Sequence, residues 1–98
     1  MRYSVRTDKE VADDVEAAWR VYDEFRTGLG DELIVEIFET MQGLEENPHL
    51  FQKRYGDWRV MVTKRFRYKI IYRIDDTLVR VIAVRHPRQH PTAWMSRL

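Results

Sequence analysis

Residues 68–85, YKIIYRIDDTLVRVIAVR, decide the fold because they have the pattern of two β-strands joined by a tight turn. Residues 75–77 (DDT) fit a hairpin turn. Residues 78–85 are rich in β-branched side chains and largely apolar on both faces, which predicts a central strand. In residues 68–74, two sets of side chains alternate with the period of a strand, namely Tyr68, Ile70, Tyr72 and Ile74 against Lys69, Ile71 and Arg73.

Further strands are predicted on the N-terminal side of this hairpin. Residues 58–63 (WRVMVT) alternate in the same way, and a weaker strand is expected around residues 52–55. Residues 3–6 (YSVR) read as a short first strand. The tail, residues 86–98, holds two prolines and is predicted to be loop rather than strand.

Two amphipathic helices are predicted between the first strand and this sheet, because apolar residues recur there at steps of three and four. The first helix ends at residues 28–30 (GLG), and the second stops at residues 47–48 (NP). A connection of about three residues makes them an antiparallel hairpin. The two apolar stripes are Val11, Val15, Ala18, Tyr22 and Phe25, then Leu33, Ile34, Ile37, Phe38, Met41 and Leu44.

The order of elements, β-α-α-β-β-β with one further possible strand, predicts a single α+β domain over residues 1–98. We expect an antiparallel β-sheet with the N-terminal helical hairpin packed on one face. The other face should then present Arg59, Lys69 and Arg73 or their neighbours. Trp19, Phe38 and Ile82 are predicted to lie in the core.

The two halves of the chain carry opposite charge. Residues 1–51 hold five basic and thirteen acidic side chains, whereas residues 52–98 hold twelve basic and three acidic ones. The balances are therefore −8 and +9, which the formal net charge of +1 conceals. A cationic sheet beside acidic helices suggests a polyanionic partner, or an acidic protein segment that competes for the same face.

Composition excludes several classes of site. The chain has no cysteine, which rules out disulfides and thiolate chemistry, and its three histidines are too badly spaced for a zinc site, so no metal or organic cofactor is expected. No apolar run is long enough to span a bilayer, so no membrane partner is expected. The N-terminal residues lack the apolar stretch of a signal peptide, and a cytoplasmic location is the default expectation.

Several segments, taken in order, resemble the RelE/ParE family of type II toxin–antitoxin toxins over nearly the whole chain. They are residues 18–19 (AW), 44–48 (LEENP), 58–60 (WRV), 64–74 (KRFRYKIIYRI), 81–91 (VIAVRHPRQHP) and Trp94. The resemblance implies a small toxin held inactive by a cognate antitoxin that wraps a C-terminal segment around it. Many members have a proline where this chain has Arg67.

The resemblance leaves two modes of action open. RelE-like members cleave messenger RNA on the ribosome, with basic residues stabilising the phosphorane charge and often a Tyr or His near the C-terminus as the acid. ParE-like members inhibit DNA gyrase without chemistry of their own. Because the fold is shared, the mode must be argued from the site. A decayed member that only binds its partner is a third possibility.

Four residues are candidates for an RNA-cleaving site. Arg59, Arg85 and Arg88 could stabilise a pentavalent phosphate, since a guanidinium is always charged and binds phosphate in bidentate fashion. His86 could move the proton, because histidine titrates near neutral pH. This cluster favours ribosome-dependent mRNA cleavage by a metal-independent endoribonuclease. Each residue could instead be a solvated or backbone-bonded side chain. Replacing Arg59 or Arg88 by alanine is expected to leave the fold intact, and an arginine whose loss unfolds the domain would be structural rather than part of the site.

Further residues are candidates for nucleic-acid contact. Trp94 falls where several RelE-like nucleases carry a catalytic tyrosine, and an indole can stack on a base but has no titratable proton. It could equally anchor the tail on the core, and its identity favours the gyrase alternative. A dense basic cluster with interleaved aromatics could track a phosphate backbone. The remaining candidates are Lys64, Arg65, Arg67, Lys69 and His90.

Overall fold

The computed structural model describes residues 2–98, which form two helices packed on a five-stranded sheet. The strands lie in the order β1-β5-β4-β3-β2. Short 3₁₀ helices cover Gly43–Glu45, Pro48–Leu50 and Ala93–Arg97. The main elements are β1 (Ser4–Thr7), α1 (Glu10–Phe25), α2 (Leu29–Gln42), β2 (Lys53–Tyr55), β3 (Trp58–Val62), β4 (Lys69–Asp75) and β5 (Leu78–Arg85).

The α+β class and the helical hairpin on one face are confirmed, and β5 is central as predicted. The sheet is mixed rather than purely antiparallel, because β1 pairs with β5 in parallel through Ser4↔Leu78 to Thr7↔Val81. In sequence, β1 is followed by α1 and α2, which run antiparallel to each other. The two helices therefore return the chain to the level of the sheet where β1 finished, and β2 starts from that level. The other pairs are antiparallel, and β5 carries a bulge opposite Ile71 and Tyr72.

The main core lies between the helices and one face of the sheet. Leu33, Ile37, Ile70 and Tyr72 are fully buried there. The predicted apolar stripes are wider than the surface that the sheet covers. Phe38 is 53% exposed, so its prediction as core was wrong. Phe25, the last residue of α1, is likewise 79% exposed.

A second core lies on the opposite face of the sheet, where the sequence predicted a charged surface. Ile71, Ile82 and Ala83 are buried there under the C-terminal 3₁₀ helix, together with Trp58 and Trp94. The predicted burial of Ile82 is therefore confirmed, whereas Trp19 is only partly buried. As predicted, the tail is not a strand. It contains one short 3₁₀ helix, Ala93–Arg97, which packs on this face of the sheet. Within residues 2–98, no helix combines the length and the apolar character that crossing a membrane requires.

Candidate functional site at the cationic end of the sheet

One end of the sheet collects basic residues from three consecutive segments. β3 ends, β4 begins and β5 ends there, with Val62 opposite Lys69 and Lys69 opposite Arg85. The loop between β3 and β4 and the turn after β5 extend this surface. We call the resulting set of five basic residues the cationic end: Lys64, Arg67, Lys69, Arg85 and Arg88.

Ion pairing leaves the cationic end charged and neutralises much of the rest of the sheet. At the opposite end, Lys53 pairs with Asp57 at 3.2 Å, and Arg73 pairs with Asp75 at 2.9 Å. The Arg80 guanidinium donates two hydrogen bonds to the Asp8 carboxylate. Among residues 2–98, by contrast, four members of the cationic end have no acidic partner within 4.0 Å: Lys64, Arg67, Lys69 and Arg88. Their charge is available to an external partner.

The β3–β4 loop is held against α2 by carboxylates. The Glu36 carboxylate accepts the backbone N–H groups of Arg65 at 2.7 Å and Phe66 at 3.0 Å. The Arg65 guanidinium donates to Glu32 at 2.7 Å and stacks over the Phe66 ring. Hydrogen bonds from Arg65 and Arg26 lower the pKa of the Glu32 carboxyl. Arg65, a predicted nucleic-acid contact, is therefore engaged within the fold, unlike its neighbours.

Arg85 belongs to a partly buried ionic cluster. Its Nη1 lies 3.9 Å from Asp14 Oδ1, and its buried Nε has no partner in the protein. Asp14 accepts two hydrogen bonds from Arg97, at 2.7 and 2.6 Å, and one from the Val84 N–H at 2.9 Å. Two guanidiniums thus share one carboxylate, which leaves the cluster with one net positive charge.

This cluster closes the edge of β5 where β1 has already ended. β1 reaches only as far as Val81, so the part of β5 after Val81 has β4 on one side and no strand on the other. Asp14 takes the Val84 N–H, and Arg97 donates to the Ile82 carbonyl at 3.1 Å. Sequence reasoning missed both side chains. Asp14 could have been suspected, because it falls on the buried stripe of α1, three residues after Val11. Arg97 gives no such signal, because its partner is 83 residues away.

His86 is fixed by the turn that follows β5. Its Nδ1 accepts the backbone N–H of Arg88 at 3.0 Å, so a neutral ring carries its proton on Nε2. The backbone N–H of His86 donates to the side-chain oxygen of Gln89 at 2.8 Å. The ring packs edge-on against Tyr68, with centroids 5.5 Å apart. His86 can therefore donate from Nε2, but it has no free ring nitrogen that could accept a proton.

A small cavity of about 220 Å³ lies beside His86, between α1 and the end of β5. Tyr68 lines it, and burial raises the pKa of the Tyr68 hydroxyl to about 12. That hydroxyl stays protonated at neutral pH and can donate but not act as a base. The other lining residues are Asp14, Ala17, Ala18, Val21, Val84 and Gln89.

The structure does not bring Arg59 to this site. Arg59 is opposite Tyr72, which belongs to the core under the helices, whereas Arg85 shares its face with Ala83 and Ile71 of the second core. Arg59 therefore points to the helical face, and the expectation that it lies on the other face was wrong. Its guanidinium donates to the Phe51 carbonyl.

The two remaining candidates lie in the tail. Trp94 is 1% exposed, and its Nε1 donates to the Pro91 carbonyl at 2.7 Å, so this ring cannot stack on a base in this structure. His90 is exposed, and its Nδ1 accepts the N–H of Thr92. In residues 2–98, no three His, Asp or Glu side chains are grouped in a way that could hold a metal ion.

Comparisons with known proteins agree with this architecture. A family model described as ParE toxin of type II toxin–antitoxin system, parDE, matches residues 5–91. A chain of the chromosomal ParDE system from P. aeruginosa superimposes with a TM-score of 0.78 at 12% identity, covering 87% of this chain and 96% of that one. No curated protein sequence matches the chain.

Two RelE structures are also similar. An E. coli RelE toxin mutant in complex with an antitoxin RelBc peptide gives a TM-score of 0.64 at 16% identity, covering 100% of this chain and 96% of that one. The archaeal RelE–RelB complex from Pyrococcus horikoshii gives a TM-score of 0.56 at 16% identity, covering 92% of this chain and 100% of that one. At these identities the likeness establishes the fold alone.

Proposed function

Because the chain belongs to the ParE toxin family of type II toxin–antitoxin systems, we propose that it arrests growth by binding DNA gyrase, without chemistry of its own. Its cationic end would be the surface that meets the target. The observation that carries this proposal is the separation of Arg59 from Arg85 by the sheet. An RNA-cleaving site built on both guanidiniums would need them on one face, where they could stabilise the same phosphorane.

Two further features favour binding over catalysis. The His86 ring accepts a backbone hydrogen bond on Nδ1, so it cannot take the proton from a 2′-hydroxyl while that bond is kept. Trp94, which by resemblance falls where several RelE-like nucleases carry a catalytic tyrosine, is buried, and an indole has no titratable proton. The cationic end therefore supplies positive charge but no evident general base.

Ribosome-dependent mRNA cleavage remains the second candidate, and one juxtaposition favours it. Lys69 lies opposite Arg85, and His86 and Arg88 follow directly, so four groups that can contact phosphate lie together. The buried Nε of Arg85 has no protein partner, a property that it shares with the Nε of Arg59. If the Nδ1 bond to the Arg88 N–H is given up, a protonated His86 could serve as general acid to the leaving oxygen.

Two assays on the free toxin separate the candidates. We expect inhibition of gyrase supercoiling and no 2′,3′-cyclic phosphate product from ribosome-bound mRNA. Arg85→Ala should weaken gyrase inhibition moderately. If the chain is a nuclease, the same variant should lower single-turnover cleavage by about 100-fold or more, and His86→Gln by about 100- to 10,000-fold. Cleavage of mRNA by the wild type, without gyrase inhibition, would overturn the proposal.

The surface proposed for the antitoxin is an apolar groove between α1 and α2, distinct from the cationic end. It has a volume of about 490 Å³, and its one charged lining residue, Glu16, is already paired with Arg20. Phe38 lies in its wall and is 53% exposed. We call this the hairpin groove; its lining is Thr7, Val11, Ala12, Val15, Glu16, Trp19, Ile34, Phe38 and Met41.

This groove fits the apolar face of an antitoxin segment. An adjoining depression shares Phe38 with it and adds Glu39 and Glu45. Glu45 is paired with Arg2, whereas Glu39 has no basic partner within residues 2–98. Residues that flank the apolar face should therefore be basic, in contrast to the acidic segment expected from the charge of the sheet alone. An acidic segment would instead suit the cationic end, so one antitoxin chain could carry both.

Replacing Phe38 tests the groove. Phe38→Ser should lower the affinity for the antitoxin encoded beside this gene by about 30-fold or more, as loss of an aromatic anchor does at other interfaces. Titration calorimetry or surface plasmon resonance would measure it. Leu50→Ser is the matched control, because Leu50 is 66% exposed but does not line the groove. Equal affinity of the two variants would place the antitoxin elsewhere.

A further inference from the structure

Arg67 has a backbone conformation that its residue type does not favour. Its φ is +62°, in the left-handed region, where a side chain with a Cβ is strained. The one other non-glycine residue with positive φ in residues 2–98 is Asp76, in the β4–β5 turn. Aspartate tolerates this conformation because its short side chain can bond locally, but arginine has no such compensation.

Nothing in the fold explains an arginine at this position. The loop is already fixed by Glu36, by the Thr63 N–H to Tyr68 carbonyl bond and by the Tyr68 N–H to Thr63 Oγ1 bond. The Arg67 side chain is exposed, and within residues 2–98 it makes no ion pair or side-chain hydrogen bond. A glycine would adopt the same turn without strain.

Strain that serves no internal contact is found at functional positions. Arg67 lies between two other members of the cationic end, Lys64 and Lys69, and next to Tyr68, which contacts His86. The two loop N–H groups that could have bound an anion are occupied by Glu36. The charged groups that this loop leaves for an external anion are the side chains of Lys64 and Arg67.

We infer that Arg67 is a dedicated contact to the phosphate backbone of nucleic acid, flanked by Lys64 and Lys69. A guanidinium binds phosphate with two parallel hydrogen bonds, which a lysine cannot do. This inference rests on the proposed function only in placing the target at the cationic end. It concerns the free toxin's affinity for nucleic acid, which is measurable whether or not gyrase is inhibited.

The test compares Arg67→Gly with two controls, using the purified free toxin and fluorescently labelled 20-mers of duplex DNA and single-stranded RNA. Arg67→Gly should raise the melting temperature by about 2–6 °C through relief of strain. It should also weaken binding by about three- to ten-fold at low salt, and reduce the slope of log K against log salt by about one. Asp76→Gly makes the same change to glycine at the other positive-φ position, at the opposite end of the sheet. Because it removes a negative charge far from the cationic end, it should not weaken binding.

Arg73→Gln controls for net charge, because it removes one positive charge from an ion pair far from the cationic end. Its effect on binding should be smaller than that of Arg67→Gly. Tighter binding of DNA than of RNA would support the Arg67–phosphate contact in a toxin that acts on gyrase. Tighter binding of RNA would support the same contact in a toxin that cleaves mRNA. Equal affinity of Arg67→Gly and wild type, a lower melting temperature of Arg67→Gly, or no binding of either nucleic acid would overturn the inference. Toxin that binds DNA but leaves gyrase active would overturn the proposed function alone.

Discussion

Arg59 shows how a charge inside a strand can be structural. Its guanidinium is partly buried, donates to the Phe51 carbonyl and lies 3.5 Å from His49 Nδ1. Arg59→Ala would leave that carbonyl without its donor, so we expect a loss of about 1–3 kcal/mol in the free energy of unfolding. Urea denaturation followed by Trp fluorescence would measure it.

Arg88→Ala is the matched control for this substitution. Arg88 is exposed, and within residues 2–98 its guanidinium has no ion pair, so the change should stay within about 0.5 kcal/mol. If Arg59→Ala proved equally harmless, Arg59 would be free to serve a site, as the sequence alone suggested. The difference between these arginines could not be read from sequence, since it depends on a carbonyl that tertiary folding brings to one of them.

At the scale of elements, the periodic patterns of apolar residues predicted the helices and strands. The pairing between strands that are far apart in sequence could not be predicted in this way. The alternation in residues 68–85 predicted β4 and β5, and the three- and four-residue steps predicted α1 and α2, because these patterns depend on near neighbours. The parallel pairing of β1 with β5 joins residues more than 70 positions apart. The second core under Trp94 escaped prediction because the C-terminal 3₁₀ helix is too short to show an apolar period.

The helical hairpin depends on close contact at Gly30. A Cβ on Gly30 would lie 2.6 Å from both the Trp19 carbonyl oxygen and Trp19 Cδ1. Because a backbone atom cannot move aside cheaply, α1 and α2 would have to separate. Gly30→Ala should therefore cost about 1–3 kcal/mol, the range typical of overpacking, as measured by chemical denaturation.

Gly43 provides the comparison for Gly30. It ends α2 with a φ of −58°, and a Cβ there would meet nothing within 4 Å. Gly43→Ala should be neutral or stabilise the protein by up to about 1 kcal/mol, because alanine has less backbone freedom to lose. A destabilisation as large as that of Gly30→Ala would show that contact with Trp19 is not the cause.

For the whole molecule, the opposite charges of the two halves have two consequences. Carboxylates of the acidic half pair with guanidiniums of the basic half: Asp8 with Arg80, Glu32 with Arg65 and Asp14 with Arg97. At the cationic end, by contrast, Lys64, Arg67, Lys69 and Arg88 have no acidic partner within 4.0 Å in residues 2–98. The sequence predicted the charge of this surface but not its extent, because which arginines are neutralised depends on the packing of α1 and α2.

These contacts predict how stability depends on pH. Hydrogen bonding to Arg80 lowers the pKa of Asp8. Burial alone would raise the pKa of Glu36, but donors from Phe66, Thr63 and Arg65 outweigh it, and the net shift is downward. A carboxyl with a lowered pKa in the folded state stabilises the protein fully above its unfolded pKa, and this contribution is lost as pH falls toward the folded value.

Wild-type protein should therefore lose stability as pH falls from about 5 to about 3. The Asp8→Asn/Glu36→Gln double variant should be less stable at neutral pH, and its stability should fall less steeply over that window. Urea denaturation at about pH 3, 4, 5 and 7 would measure both slopes. Glu24→Gln is the control, because Glu24 is exposed on α1 and pairs with no basic side chain in residues 2–98; its curve should run parallel to wild type. A double variant that is as steep as wild type would mean that the contacts between the acidic and basic halves do not carry the acid sensitivity.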